Sequence, residues 1–165
     1  MITRIGFRDA RPQDAVEIVR LLIRTKQESL PHLTDAHDRD FDFWHDRWFR
    51  YINDGSNAQK ALCDSFTLLG EAAGELVGFA AYHHTRRWDC DAEIESMYVL
   101  PGRQNGGLGG TLLCMIVQRL RAEGSHSLCV GYDPRNPYKR FYLKCGAVEV
   151  NPHRALWRSL PEISI

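Results

Sequence analysis

From Met97 to Gly110 the chain reads Met-Tyr-Val-Leu-Pro-Gly-Arg-Gln-Asn-Gly-Gly-Leu-Gly-Gly, and no other stretch restricts the fold as strongly. Pro101 stops the strand before it, because proline has no N–H for a sheet ladder and holds Leu100 in extended backbone. Five glycines follow within the nine residues Gly102 to Gly110. Beyond them Leu113, Ile116, Val117 and Leu120 fall at i, i+3, i+4, i+7, which predicts a helix stopped by Gly124. A strand, a glycine-rich turn and a helix in this order make an α/β junction. Glycines let backbone N–H groups approach a ligand with no Cβ in the way. The helix start adds unpaired donors and the positive end of the dipole. The segment therefore reads as a cradle for a phosphate or pyrophosphate. It is not a Walker loop, since no Lys follows the glycines, and a GxGxxG reading through Gly107 and Gly109 fails at Leu112. The alternative, a flexible loop without a ligand, leaves these glycines unused at about 1 kcal/mol each relative to alanine near a helix start.

The rest of the chain supplies the layers around this junction. Ile2 to Arg8 reads as a strand; Arg11-Pro12-Gln13-Asp14 opens a helix whose stripe is Ala15, Ile18, Val19 and Leu22. A polar stretch with Pro31 breaks it, and a second helix over Phe41 to Ile52 sets Trp44, Trp48 and Tyr51 on one face. Asn53 to Asn57 is a loop by composition. Phe66 to Glu71 and Glu75 to Tyr82 form a hairpin at Ala73-Gly74, Ala92 to Val99 is the next strand, and Leu128 to Gly131 a short buried one. Asn136 and Pro137 start a fourth helix with the stripe Tyr138, Phe141, Tyr142, Cys145, capped by Gly146. Strand-like runs at Ala147 to Val150 and Ala155 to Leu160 follow. The order predicts one α/β domain over residues 1–165, with a mixed, mostly antiparallel central sheet flanked by about four helices.

Composition narrows the function classes. Of 165 residues 44% are hydrophobic, and Lys+Arg and Asp+Glu each number 21, so the net charge is zero. That argues against disorder and against a nucleic-acid binder that works through a basic field. No apolar run approaches the roughly 18 residues of a membrane span, and Met1 to Ala10 holds no apolar signal segment. Cys63, Cys90, Cys114, Cys129 and Cys145 are odd in number and form no CxxC pair, so reduced thiols in a cytoplasmic protein are expected, with no structural zinc.

The glycine segment resembles the coenzyme signature of the GNAT (GCN5-related) N-acetyltransferases, Q/R-x-x-G-x-G/A. Gln104, Gly107 and Gly109 match it, behind Tyr98-Val99-Leu100-Pro101. A second family segment, an aromatic-Tyr pair with Gly four residues after the Tyr, is matched by Phe141-Tyr142 and Gly146. Gly74-Glu75-Leu76-Val77-Gly78 is similar to the family's Gly-x-x-Val-Gly strand. Two positions depart from the pattern. Ala147 stands where the family usually has Phe, and Arg135 where it often has a coenzyme-contacting Asn, with Asn136 one residue nearer Tyr142.

The resemblance implies acetyl-CoA as co-substrate, with no metal, and acyl transfer to a primary amine. It implies coenzyme contacts from Met97, Tyr98, Val99, Arg103, Gln104, Asn105, Gly106, Gly107, Leu108, Gly109 and Gly110, with Asn136 a weaker member. The family strand ending at Val99 bulges and splays, so that pantetheine pairs with it like an added strand. Tyr142 matches the family's general acid. An amine with pKa near 10 must lose a proton before it attacks. For that base, period-two alternation sets Glu93 and Glu95 on one face with Met97, with Glu95 nearer the reacting end and His83 and His84 ranked below it. The family's first two helices line the acceptor site, so Trp44, Glu93 and His83 are expected on the substrate side. The run Asp35, Asp38, Asp40, Asp42 and Asp46, with only Arg39 against it, is expected to attract a cationic amine. Its plainer reading is an acidic helix start over core tryptophans. The main expectation is a small-molecule N-acetyltransferase. Acetylation of protein N-termini or of charged tRNA, or a silent acyl-CoA-binding module, are the alternatives, and a homodimer is open.

Overall fold

The computed structural model describes residues 4–54 and 65–163. Ile2 and Thr3 of the expected first strand, Gly55 to Asn57 of the expected loop, and Cys63 lie outside the described residues. The elements run β1 (Ile5–Asp9), α1 (Ala15–Ser29), α2 (Phe41–Asp54), β2 (Ser65–Ala72), β3 (Glu75–His84), β4 (Ala92–Val99), α3 (Leu108–Ala122), β5 (Leu128–Gly131), α4 (Lys139–Lys144), β6 (Val148–Asn151) and β7 (Arg154–Trp157). The strands form one sheet in the order β1-β2-β3-β4-β5-β7-β6, antiparallel except for β4 and β5. This is the mixed, mostly antiparallel α/β sheet that the sequence predicts.

Each amphipathic helix buries its stripe on one sheet face. Ala15, Ile18, Val19 and Leu22 of α1 and Trp48 and Tyr51 of α2 pack on Leu69, Phe79 and Ala81. On the other face Leu112, Leu113, Ile116, Val117 and Leu120 of α3 meet Ala80, Tyr82, Ile94 and Val130. Cutting one such core Leu to Ala costs roughly 2–5 kcal/mol. Among the expected helices, α4 differs most at its start. Asn136 Oδ1 accepts from the Tyr138 N–H at 2.9 Å, as a cap would, but regular helix begins only at Lys139. Gly146 ends α4 with φ +92°, a conformation that favours glycine.

Two irregularities prepare the site. The β3–β4 register slips between Ala81 and Tyr82: Ala81 faces Ser96 while Tyr82 faces Ile94, so Glu95 is the extra residue of a β-bulge. A bulge reverses the alternation beyond it. Glu93 and Glu95 therefore share the α1/α2 face with Tyr98, whose ring stacks on Phe79, while Met97 packs with the α3 core. The expected grouping of Met97 with the two carboxylates is corrected by this one residue. The parallel pairing of β4 with β5 ends at Ile94–Val130. From Glu95 to Val99, β4 has β3 on one side and, among the described residues, no strand on the other.

Candidate active site

The parting of β4 and β5 opens a groove of about 670 Å³. Its floor is Glu95, Ser96, Met97, Tyr98 and Val99, and its walls come from the end of α1, the start of α3 and the turn before α4. Strand edges expose backbone N–H and C=O groups, and an extended ligand can pair with them as an added strand.

At one end lies the start of α3. Gly107 caps the helix with φ +84°, a left-handed conformation that strains a residue with a Cβ. The N–H groups of the first turn have no partner within the helix and point outward from its positive end. Asn105, Gly107, Gly109 and Gly110 line the groove, and a Cβ added at Gly110 would meet no protein atom within 4 Å. This bare turn fits a phosphate-bearing ligand by shape and by donors.

Gln104 lines the groove and also braces it. Its Nε2 donates to the Val99 carbonyl at 3.0 Å and to Ser29 Oγ at 3.1 Å, and its Oε1 accepts from the Tyr138 hydroxyl at 3.2 Å. The side chain ties the glycine turn to β4, α1 and the turn before α4. Arg103, Gly106 and Leu108 are not brought to the groove. Arg103 and Gly106 are exposed on the turn, and Leu108 is buried in the α3 core.

Across the groove from β4 stands Tyr142, its ring edge against Trp157 at 6.2 Å. Burial pushes its pKa well above that of an ordinary phenol, and the nearby Tyr98 and Cys145 add to the rise. Burial likewise pushes Tyr98 up to about 12, with the charge of Asp38 contributing. Both phenols therefore hold their protons at neutral pH.

Glu95 lines the groove at the bulge, with its side chain 10% exposed. Arg47 Nη2 of α2 donates to its Oε1 at 2.9 Å, and His83 Nδ1 lies 3.5 Å from its Oε2. His83 and Glu93 do not reach the groove. They are buried behind Glu95, where Arg154 Nη1 donates to Glu93 Oε1 at 3.0 Å. Trp44 also stays out of the groove; Lys26 and Arg47 lie over its ring at 5.0 and 5.8 Å.

Several members of the acidic run have partners within the protein, although Asp35, Asp40, Asp42 and Asp46 stay exposed. Asp38 pairs with Lys26 and exchanges backbone hydrogen bonds with Asp35, the Asp40 carboxylate accepts from the Phe43 N–H at the start of α2, and Asp46 pairs with Arg50. Of the Lys26–Asp38 pair, Lys26 lines the groove and Asp38 does not.

The model of the acetyltransferase (GNAT) family matches residues 30–147. The chain belongs to the GNAT acetyltransferase family. Solved structures share its fold. The PaiA N-acetyltransferase from Thermoplasma acidophilum, in complex with coenzyme A, superposes with a TM-score of 0.73 at 17% identity, covering 93% of this chain and 96% of that one. A GNAT acetyltransferase from Brucella melitensis, in complex with acetyl-CoA, gives 0.64 at 19% identity, covering 99% and 92%. One from Staphylococcus aureus Mu50 gives 0.71 at 13%, covering 95% and 99%. No curated protein matches the chain in sequence.

In this GNAT chain the sequence reading missed the α1 wall, Thr25, Lys26, Ser29 and Leu30, and the opposite wall at Tyr132, Asp133 and Tyr138. Ser29 carries a signal only in its tie to Gln104, which is a contact between residues far apart in sequence. Among the described residues no group of three or more His, Cys, Asp or Glu side chains forms a metal site, and no helix is long and apolar enough to cross a membrane.

Proposed function

We propose that residues 1–165 form one N-acetyltransferase unit that moves the acetyl group of acetyl-CoA to a primary amine of a small molecule, by direct attack in a ternary complex. The observation that carries this reading is the free edge of β4, with a bare helix start at one end and a carboxylate at the other. The α3 start suits the coenzyme's phosphates, and the β4 edge suits the pantetheine amides, one of whose neighbouring N–H groups stabilises the oxyanion. Complexes of the Thermoplasma and Brucella proteins with coenzyme A and acetyl-CoA support the same ligand here.

In the reaction Glu95, directly or through a water, takes a proton from the ammonium so that a lone pair is free. The nitrogen attacks the thioester carbon, the C–N bond forms, and the C–S bond breaks. Tyr142 gives its proton to the departing sulfur, and the second proton that the nitrogen sheds on becoming an amide returns through groove water to the phenol. A phenol raised by burial is a poor donor to an ordinary thiolate with pKa about 8.5. The same dry wall, however, raises the proton affinity of a thiolate born beside it, which keeps the transfer feasible.

The deciding experiment is release of free thiol from acetyl-CoA over a panel of small amines, with peptide N-termini and aminoacyl-tRNA as comparison acceptors. Turnover on a small amine is expected. Coenzyme binding with no turnover on any acceptor would replace this reading with a silent binding module.

A further inference from the structure

Behind Glu95 the protein buries a chain of ionisable groups that the acyl transfer itself does not use. His83 is 1% exposed, and each ring nitrogen faces a carboxylate: Nδ1 lies 3.5 Å from Glu95 Oε2 and Nε2 lies 3.6 Å from Glu93 Oε2. The Tyr51 hydroxyl sits 3.4 Å from Nδ1. Arg47 holds Glu95 from α2 at 2.9 Å, and Arg154 holds Glu93 from β7 at 3.0 Å, with Arg87 at 4.0 Å from Glu93. Arg154 also lies 3.7 Å from the Cys129 thiol. Among the described residues these groups, from α2, β4, β5, β7 and the turn before β4, are charged and titratable neighbours of the ring and its two carboxylates.

Burying this many charges is costly unless each is paired. A surface strand face needs none of them, and a purely structural core would be served by apolar residues. The bulge explains their alignment, because inserting Glu95 sets both carboxylates on the face that carries His83. The geometry points to His83 as the proton acceptor behind Glu95, with Glu93 as the positioning residue that orients its ring and stabilises its charged form. This inference rests on the assignment of Glu95 as the base that meets the amine.

To accept a proton the ring must start neutral, with one nitrogen a donor and the other an acceptor. Nε2–H donates toward Glu93, and Nδ1 accepts from the Tyr51 hydroxyl. The separations are long for hydrogen bonds, and a movement of about half an ångström closes them. Such contacts tighten in reactant complexes. When the ammonium gives a proton to Glu95, Glu95 passes it to Nδ1. The imidazolium then donates toward both carboxylates, one on each side. No bond other than N–H and O–H changes, and the net charge of the cluster rises by one proton. After the products leave, the proton returns through Glu95 to water in the groove, and the ring recovers its first tautomer. The arrangement keeps Glu95 ionised while the C–N bond forms, so the proton is not handed back to the nitrogen.

The test compares His83→Gln, Glu93→Gln, the double variant and Glu95→Gln in the full chain, with thermal unfolding recorded for each. If His83 acts through Glu95, His83→Gln and Glu93→Gln each lower kcat about tenfold, a modest share of what a positioned base supplies. The KM for acetyl-CoA stays unchanged, and the double variant is no worse than His83→Gln alone. The acid limb of the pH–rate profile changes shape in both. Nitrogen-15 NMR of the folded wild-type protein shows the proton of His83 on Nε2, an observation that does not depend on variant stability. Wild-type kcat and pH profile in Glu93→Gln, beside an inactive Glu95→Gln, would overturn the proposal and leave the Glu95 assignment standing. A proton fixed on Nδ1 would overturn it as well. Full activity in Glu95→Gln would remove the Glu95 assignment and the His83 proposal with it.

Discussion

Arg47 on α2 grips the bulge residue of β4, its Nη2 donating to Glu95 Oε1 at 2.9 Å across the floor of the groove. The pair fixes one carboxylate oxygen and leaves the other to face His83 and the groove. Replacing Arg47 by Met keeps an unbranched apolar side chain and removes the charge, together with the guanidinium that lies over Trp44. The loss of a neighbouring cation makes Glu95 easier to protonate. The expected result is a fall in kcat of about tenfold, equivalent to about 1.4 kcal/mol of transition-state stabilisation, with the acid limb of the pH–rate profile moved to higher pH. Initial rates at saturating acetyl-CoA between pH 6 and pH 9 measure both. An unchanged acid limb would show that Arg47 does not govern the ionisation of the base.

Gly110 separates the demands of folding from those of binding. It lies in the first turn of α3, and a Cβ there meets no protein atom within 4 Å. Gly110→Ala therefore removes backbone freedom from the unfolded chain and stabilises the protein by roughly 0.5–1 kcal/mol. The same methyl intrudes on the phosphate cradle and weakens coenzyme A binding. Thermal unfolding and calorimetric titration are expected to move in opposite directions. At Gly107 the two effects coincide, because its φ of +84° strains any Cβ. A bulky residue there loses about 1–2 kcal/mol of stability and abolishes coenzyme binding.

The chain announces some of these features and hides others, for physical reasons. The bounds of β4 were legible at Ala92 and Val99, because Pro101 must end a strand and the residues before it suit a pleated surface. A bulge in this strand was implied by the family resemblance, but its place at Glu95 was not legible, because that lies in the register with β3 and not in any glycine or proline nearby. One unpaired residue was enough to send Met97 to the opposite face from that predicted. The glycine cradle could be read from local sequence, since a helix start is a local object, whereas the open edge of β4 was implied only by the family resemblance, because it depends on where the pairing with β5 ends. The roles of Gln104 and of the acidic run could not be read locally. Gln104 acts through Ser29 and Tyr138, and Asp38 is answered by Lys26, and both outcomes depend on contacts made only after folding.

Asp91 fastens β4 to β5 just before they part. Its Oδ2 accepts from the N–H groups of His126 and Ser127 at 2.7 and 3.0 Å and from Ser127 Oγ at 3.1 Å. The His126 N–H bond above all, with the Ser127 bonds, holds this carboxyl below the usual range. A depressed carboxylate contributes stability that is present above its unfolded value of about 3.9 and is lost as pH falls through the folded value. Asp91→Asn is expected to lower stability at pH 7 by about 1 kcal/mol, a figure held down by the exposure of the residue. The wild type and the variant converge as the pH drops below 4. Denaturant melts at pH 7 and pH 3 compare them, and an equal difference at both would separate the effect from the charge.

Tyr142 gives the sharpest separation between binding and chemistry. Its phenol lies in the groove wall against Trp157, and burial holds it protonated well past neutral pH. Tyr142→Phe keeps the ring and its packing and removes only the hydroxyl. Coenzyme A affinity is expected to stay within about twofold, while kcat falls by 10²- to 10⁴-fold, roughly the range of a positioned general acid. Because the phenol does not ionise between pH 6 and pH 9, the surviving activity keeps the wild-type pH dependence over that window. An acyl donor with a more acidic thiol needs less protonation as it leaves, so it narrows the gap between variant and wild type. Full activity in the variant with acetyl-CoA would dismiss Tyr142 as the acid, and an equal loss with both donors would assign its hydroxyl to positioning instead.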